Sequence, residues 1–389
     1  MNQRADIDTT PTGRARARAL GIPLQGSPGP ANAITDVDGV LVGYSTIVEG
    51  EGKLSVGHGP VRTGVTAILP LGRDGVGTAC AAGYHSFNGN GEMTGASWLE
   101  EAGSLSMPIL ITNTHAIGPC HRGVIDWVAH NKPEVANQWL LPVVAETWDG
   151  YLNDINGSHI TVDHAVAAID KAVGGRIEEG SVGGGTGMNC YAFKGGSGTA
   201  SRIVDYGHRQ YTVGVFLQAN FGSRNELSIA GIPMGDELAD DNPMEAYFSG
   251  RPTGAGSCIG IVATDAPLLP GQCKALARRV PLGLARTGTA GSHFSGDIFL
   301  AFSTANPDAL NGRFPQGAPS EESYGHMDFV PWGRMDDFYT AVVQATEEAV
   351  LNALVANSEM TGRDGNRTPA LPHAKVVAAL HARGITARR

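Results

Sequence analysis

The chain has 389 residues, 54 of them glycine, with 42% hydrophobic residues and a formal net charge of −10. That apolar content suffices for a sizeable core, and a glycine share about twice the usual ~7% without any repeat points to many tight turns. The acidity argues against nucleic acid or an anionic membrane as partner, and no stretch approaches the ~20 apolar residues of a membrane span.

Residues 1–26 contain Arg14, Arg16 and Arg18 without an apolar signal core, so they read as a tail and the protein as cytoplasmic. Apolar runs of strand length follow over 37–42, 65–69, 109–112, 143–145, 213–219, 259–263 and 298–302, each bounded by Gly, Pro, Asn or Asp, as strands buried on both faces are. Helical patterns lie over 124–130, 162–173, 267–285, 338–356 and 372–383, with Pro281 kinking or dividing the third. In 338–356 the apolar set Phe338, Val342, Ala345, Ala349 and Ala353 recurs every three or four residues, with Glu347 and Glu348 outside the stripe, so that helix covers a sheet. No linker or repeat separates two halves, which predicts one intertwined α/β domain over 1–389 with two sheets and outer helices. The glycine- and acid-rich segment 235–256 is the expected exposed, cleavable connection.

At the end of that segment, Gly256-Ser257 hands a serine to the start of the 259–263 strand. If the Ser257 hydroxyl attacks the preceding carbonyl, the new chain begins with a serine whose α-amine, pKa about 7.7–8.0, can take the hydroxyl proton. One residue then supplies nucleophile and base. The same residues also read as an ordinary turn before a strand.

Further polar groups sit at strand ends. Ser295 and Asp297, in a glycine-rich turn before the 298–302 strand, could orient the amine or relay its proton, or simply cap the turn. Asn220 ends the 213–219 strand, where an amide could donate to an oxyanion. Glu146, followed by Trp148 and preceded by Trp139, could hold a substrate ammonium among aromatics. The glycine run 183–187 lacks the GK[ST] of a phosphate loop, and Lys194 with Ser197 offers an alternative amidase pair. Histidines and the five cysteines, Cys80, Cys120, Cys190, Cys258 and Cys273, show no ligand spacing, so no metal or cofactor is expected and the thiols read as reduced.

With these residues in view, the chain resembles the DmpA-type family of L-aminopeptidase/D-amino-acid esterases and β-peptidyl aminopeptidases. The resemblance runs from Ile22 to near the C-terminus, through Asn32-Ala33-Ile34-Thr35-Asp36-Val37, Asn88-Gly89-Asn90-Gly91-Glu92-Met93-Thr94-Gly95, residues 180–187, 218–222, 256–269 and 284–288, and Met360-Thr361-Gly362-Arg363-Asp364-Gly365. It implies a four-layer αββα sandwich, a cut between Gly256 and Ser257 into an α chain (1–256) and a β chain (257–389), and a homotetramer of αβ units. It implies Ser257 as nucleophile, Ser295 as second serine, Asn220 at the oxyanion, Glu146 on the substrate's amino group, and Trp148 and Trp139 lining the pocket. Asp297 stands where several members carry Glu, and Trp148 where some have Tyr. The expected substrates are short peptides and aminoacyl amides or esters with a free amino terminus. Rival readings are acyl transfer like that of ornithine acetyltransferases, the Lys194/Ser197 amidase, and a small-molecule binding homologue without activity.

Overall fold

The computed structural model describes residues 7–249, 256–314, 317–319 and 324–385. Strands β1 (Leu41–Glu49), β2 (Val61–Leu69), β5 (Ile109–Asn113) and β6 (Val143–Thr147) form a four-stranded sheet in that order, with β5 and β6 parallel and the other pairs antiparallel. A six-stranded sheet is built from β3 (Cys80–Ser86), β4 (Ser104–Leu105), β9 (Gly196–Tyr206), β10 (Arg209–Asn220), β13 (Gly256–Thr264) and β14 (Ser295–Ser303). Its spatial order is β4-β3-β14-β13-β10-β9, and only β13 and β14 run parallel. Three ribbons complete the strands: β7 (Asn189–Cys190) with β8 (Phe193–Lys194), β11 (Ser228–Ile229) with β12 (Ile232–Pro233), and β15 (Met360–Thr361) with β16 (Arg367–Thr368).

The strands are apolar on both faces because both faces are covered. Alternate side chains point to opposite sides of a strand, so β13 sends Ile259, Ile261 and Ala263 into one core and Cys258 and Val262 into another. The first core lies between the sheets, where Phe216, Ile259, Ile298 and Leu300 meet Ile68, Ile109 and Ile111. The second lies under helices Pro270–Ala277 and Asp336–Val355, which contribute Leu276, Phe338, Val342 and Ala345. A third joins Val65, Ala67 and Leu69 to helices Ile117–Asn131 and Val162–Asp170. Three cores in series make four layers, the αββα sandwich that the family resemblance implied.

Several expectations are corrected. The pattern over 267–285 is two helices, Pro270–Ala277 and Val280–Ala285, with Pro281 in the first turn of the second, where its missing N–H costs nothing. The strand expected from residue 37 begins at Leu41, after a 3-10 turn over Ile34–Asp36. Strands β3 and β9 had no apolar signal, and β9 shows why. Its Gly198 lies so close to helix Asp336–Val355 that a Cβ would stand 2.0 Å from the Ala349 carbonyl oxygen, so small residues let the helix seat on the strand. Glu348 is no surface residue: it is fully buried, taking 2.7 Å ion pairs from Arg18 and Arg202 and a 2.6 Å hydrogen bond from Asn32. Nor are residues 7–26 a loose tail, since Ala17 is buried and Arg16 pairs with buried Glu179 at 2.5 Å. Along 235–249 the chain is exposed or half-buried except at Gly235 and at Leu238, which is pinned in the core, while 250–255, the rest of the expected cleavable connection, lies outside the described residues.

Candidate active site

Four strands end at one place. Ser257 is the second residue of β13, in register with Asn220 at the end of antiparallel β10 and with Gly296 on parallel β14. The chain leaving β6 crosses the same point, so that the Trp148 N–H donates to Ser257 Oγ at 3.3 Å. Asn220 Nδ2 donates to the same oxygen at 3.4 Å and to the Trp148 carbonyl at 3.0 Å. Its Oδ1 accepts from the Asn189 N–H at 2.9 Å, which fixes which end of the amide faces Ser257. Two N–H donors thus converge on one buried serine oxygen.

Beside it, Ser295 is the register partner of Gly256, and its Oγ donates to Asp297 Oδ1 at 2.6 Å. The other carboxylate oxygen of Asp297 accepts from Asn88 Nδ2 at 2.8 Å, and the Asp297 N–H donates to Asn88 Oδ1 at 2.5 Å. Burial pushes the Asp297 carboxyl up from its ordinary value, and the bonds from Ser295 and Asn88 oppose that. The Asn88–Asn90 turn can wrap this strand because Gly296 has no side chain; a Cβ there would lie 2.4 Å from the Asn90 carbonyl oxygen. Asn88 is the residue to which sequence reasoning gave no role. Its signal was the Asn-Gly-Asn-Gly spacing, which marks a backbone approached closely by another strand.

Glu146 lies at the end of β6, two residues before Trp148, and is buried. Oε1 accepts from the Glu92 N–H at 2.9 Å and Oε2 from the Thr114 hydroxyl. Burial raises its carboxyl above the ordinary range, only partly offset by those two bonds. Among the described residues no lysine or arginine pairs with it. A carboxylate so placed favours an incoming cation such as an ammonium group.

Of the two tryptophans, Trp148 stands at the site, 38% exposed, whereas Trp139 is not brought to it. Trp139 is 71% exposed and stacks near Phe314, with ring centroids 5.4 Å apart, on a cavity of about 390 Å³ that Trp98 also lines and neither Ser257 nor Glu146 does. The alternative amidase pair does not meet either. Lys194 Nζ donates to the carbonyls of Met188 and Gly195, and Ser197 Oγ to that of Val182. The glycine run 183–187 is a plug between the sheets, where a Cβ on Gly184 would lie 2.2 Å from Gln218 Oε1. Beside the serine, the Cys258 thiol is pushed well above its usual value by burial, which suits packing rather than nucleophilic attack. Among the described residues no three His, Cys, Asp or Glu side chains are grouped to hold a metal ion.

Known proteins resemble this chain in sequence and in fold. The profile of Peptidase family S58 matches residues 32–368. The β-peptidyl aminopeptidase BapA of Sphingosinicella microcystinivorans is 48% identical over 375 residues, covering 94% of this chain and 91% of that protein. The structure of the L-aminopeptidase D-Ala-esterase/amidase from Ochrobactrum anthropi, described as a variant of the Ntn hydrolase fold, superposes with a TM-score of 0.86 at 43% identity, covering 95% of this chain and 99% of that one. A β-aminopeptidase from Burkholderia sp. gives a TM-score of 0.83 at 42% identity, covering 96% of this chain and all of that one. The chain belongs to peptidase family S58 and is a serine aminopeptidase of the N-terminal-nucleophile type.

Proposed function

We propose that the chain cuts itself between Gly256 and Ser257 and that Ser257 is then the nucleophile releasing the first residue of short peptides, aminoacyl amides and esters. The observation that carries this is the convergence of the Trp148 N–H and the Asn220 amide on Ser257 Oγ, with Trp148 two residues along the chain from Glu146, a buried carboxylate that no described lysine or arginine neutralises. In the cut, Ser257 Oγ adds to the Gly256 carbonyl, the peptide C–N bond breaks as the nitrogen takes a proton, and water hydrolyses the ester. The freed α-amine becomes the base.

In turnover, Ser257 Oγ attacks the carbonyl of a substrate whose ammonium rests on Glu146. The amine takes the hydroxyl proton and returns it to the leaving nitrogen or oxygen, and a water activated the same way releases the acyl group. Asn220 and the Trp148 N–H face the oxyanion. Ser295, held by Asp297, serves the amine, and Asn88 holds the other carboxylate oxygen of Asp297. N-terminal β-residues are among the substrates, in keeping with the relatives named β-peptidyl aminopeptidases. The working form is a homotetramer of cut units, checked by light scattering.

The test is intact mass and N-terminal sequencing with a chromogenic aminoacyl amide assay. Wild type is expected to give two chains, the smaller beginning Ser257-Cys258-Ile259, and Ser257→Ala one uncut chain without turnover. Ordinary amide turnover by Ser257→Ala overturns the reading.

A further inference from the structure

Lys194 is fully buried on β8, where a lone ammonium is costly, yet the mechanism above does not use it. Its Nζ donates to the Met188 carbonyl at 2.6 Å and to the Gly195 carbonyl at 2.9 Å. Neither carbonyl needs it for satisfaction. Met188 O also accepts from the Gly195 N–H at 3.0 Å, and Gly195 O from Asn357 Nδ2 at 2.8 Å. What Lys194 adds there is positive charge rather than a missing donor. Asp149, also fully buried and next in sequence to Trp148, offsets only part of the burial that pushes the lysine down to about 7, and so keeps its charged form populated up to about neutral pH.

The charge sits at one end of a connected line. The peptide unit whose carbonyl receives Lys194 is the one whose N–H, that of Asn189, donates to Asn220 Oδ1. Asn220 Nδ2 in turn faces Ser257 Oγ. A cation at the carbonyl end of a peptide strengthens its N–H as a donor, and a stronger bond to Oδ1 makes Nδ2 a better donor, each link polarising the next.

We infer that Lys194 is a positioning residue for the oxyanion, acting through the peptide joining Met188 to Asn189 to orient and polarise the Asn220 amide toward Ser257. This rests on Asn220 serving the oxyanion as proposed above.

The test is a double-mutant cycle of Lys194→Met and Asn220→Ala, with kcat counted per cleaved chain. Asn220→Ala alone is expected to lose roughly 10²–10³ in kcat, as removal of an oxyanion donor does. Lys194→Met is expected to lose roughly tenfold in kcat with KM nearly unchanged, the mark of an interaction made in the transition state, and almost nothing further in the Asn220→Ala background. An equal loss in both backgrounds, a loss confined to KM, or no loss overturns the inference. Unimpaired kcat in Asn220→Ala instead overturns the oxyanion reading itself. If Lys194→Met does not fold, Lys194→Met with Asp149→Asn removes both buried charges together and enters the same cycle; if the cut slows enough to limit the cleaved fraction, the cycle is read on the rate of the cut, with the same outcomes deciding.

Discussion

Two buried carboxylates in this molecule have opposite surroundings. Glu348 meets Arg18 and Arg202 at 2.7 Å with Asn32 beside them; burial pushes its carboxyl up, but Arg202, Arg18 and Arg16 outweigh that and hold it down at about 2. Glu146 takes its hydrogen bonds from a hydroxyl and a backbone N–H, with no lysine or arginine paired to it among the described residues, and burial carries its carboxyl upward. The first is neutralised by the fold and holds the N-terminal segment to the helix and sheet. The second is left for something to neutralise from outside, and that difference separates a structural charge from a binding charge.

Substitution should therefore move different quantities at the two sites. Glu348→Gln leaves two buried arginines without their anion and is expected to cost about 3–5 kcal/mol in denaturant unfolding, with kcat of the folded fraction unchanged. Glu146→Gln is expected to leave stability nearly intact and raise KM for substrates with a free amine roughly 10- to 100-fold, the worth of about 1.5–3 kcal/mol for a hydrogen bond to a charged group. An acetylated substrate should not feel that change. A large stability loss in Glu146→Gln would erase the contrast.

The pH dependences should split as well. The folded carboxyl of Glu348 is depressed, so its stabilisation is present above the ordinary value of 4.5 and fades as pH falls toward about 2. The carboxyl of Glu146 is raised, so it takes a proton at a higher pH than an ordinary glutamate, and KM should climb while the fold is still intact. Glu146→Gln should flatten that rise, and Glu348→Gln the acid loss of stability. The smallest effect is expected at Trp139→Ala, within about twofold in kcat/KM, as for an exposed side chain away from the site. A larger loss would mean that a neighbouring copy brings the Trp139 cavity to a site.

Much of this was legible in the sequence, for physical reasons that also mark its limits. Apolar runs such as 213–219 and 259–263 announced strands covered on both faces, and the polar residues ending them, Asn220 and Ser257, announced where chemistry could sit. Strand β9 was silent because it opens on the small residues Gly-Ser-Gly-Thr-Ala, with Gly198 matched to a helix, and a missing side chain leaves no periodic signal. The pairing of Arg18 with Glu348 spans 330 positions, so the helical pattern alone put Glu348 outside the buried stripe. Trp139 and Trp148 looked alike as aromatics flanking Glu146, yet of the two Trp148 follows β6 into the site, because the strand between them carries the chain from one end of its sheet to the other.

The interleaved strand order has a consequence for the mature protein. The segment after Gly256 supplies β14 and nearly all of β13, and these lie between β3 on one side and β10 on the other, both from the segment before the cut. A single broken bond would therefore turn the protein into a heterodimer with no surface along which its halves could part without tearing a central sheet. The precursor assembles that sheet within one molecule, whereas the mature pieces would have to find each other by mass action, so the cut makes folding a bimolecular event that the enzyme, once finished, has little occasion to repeat.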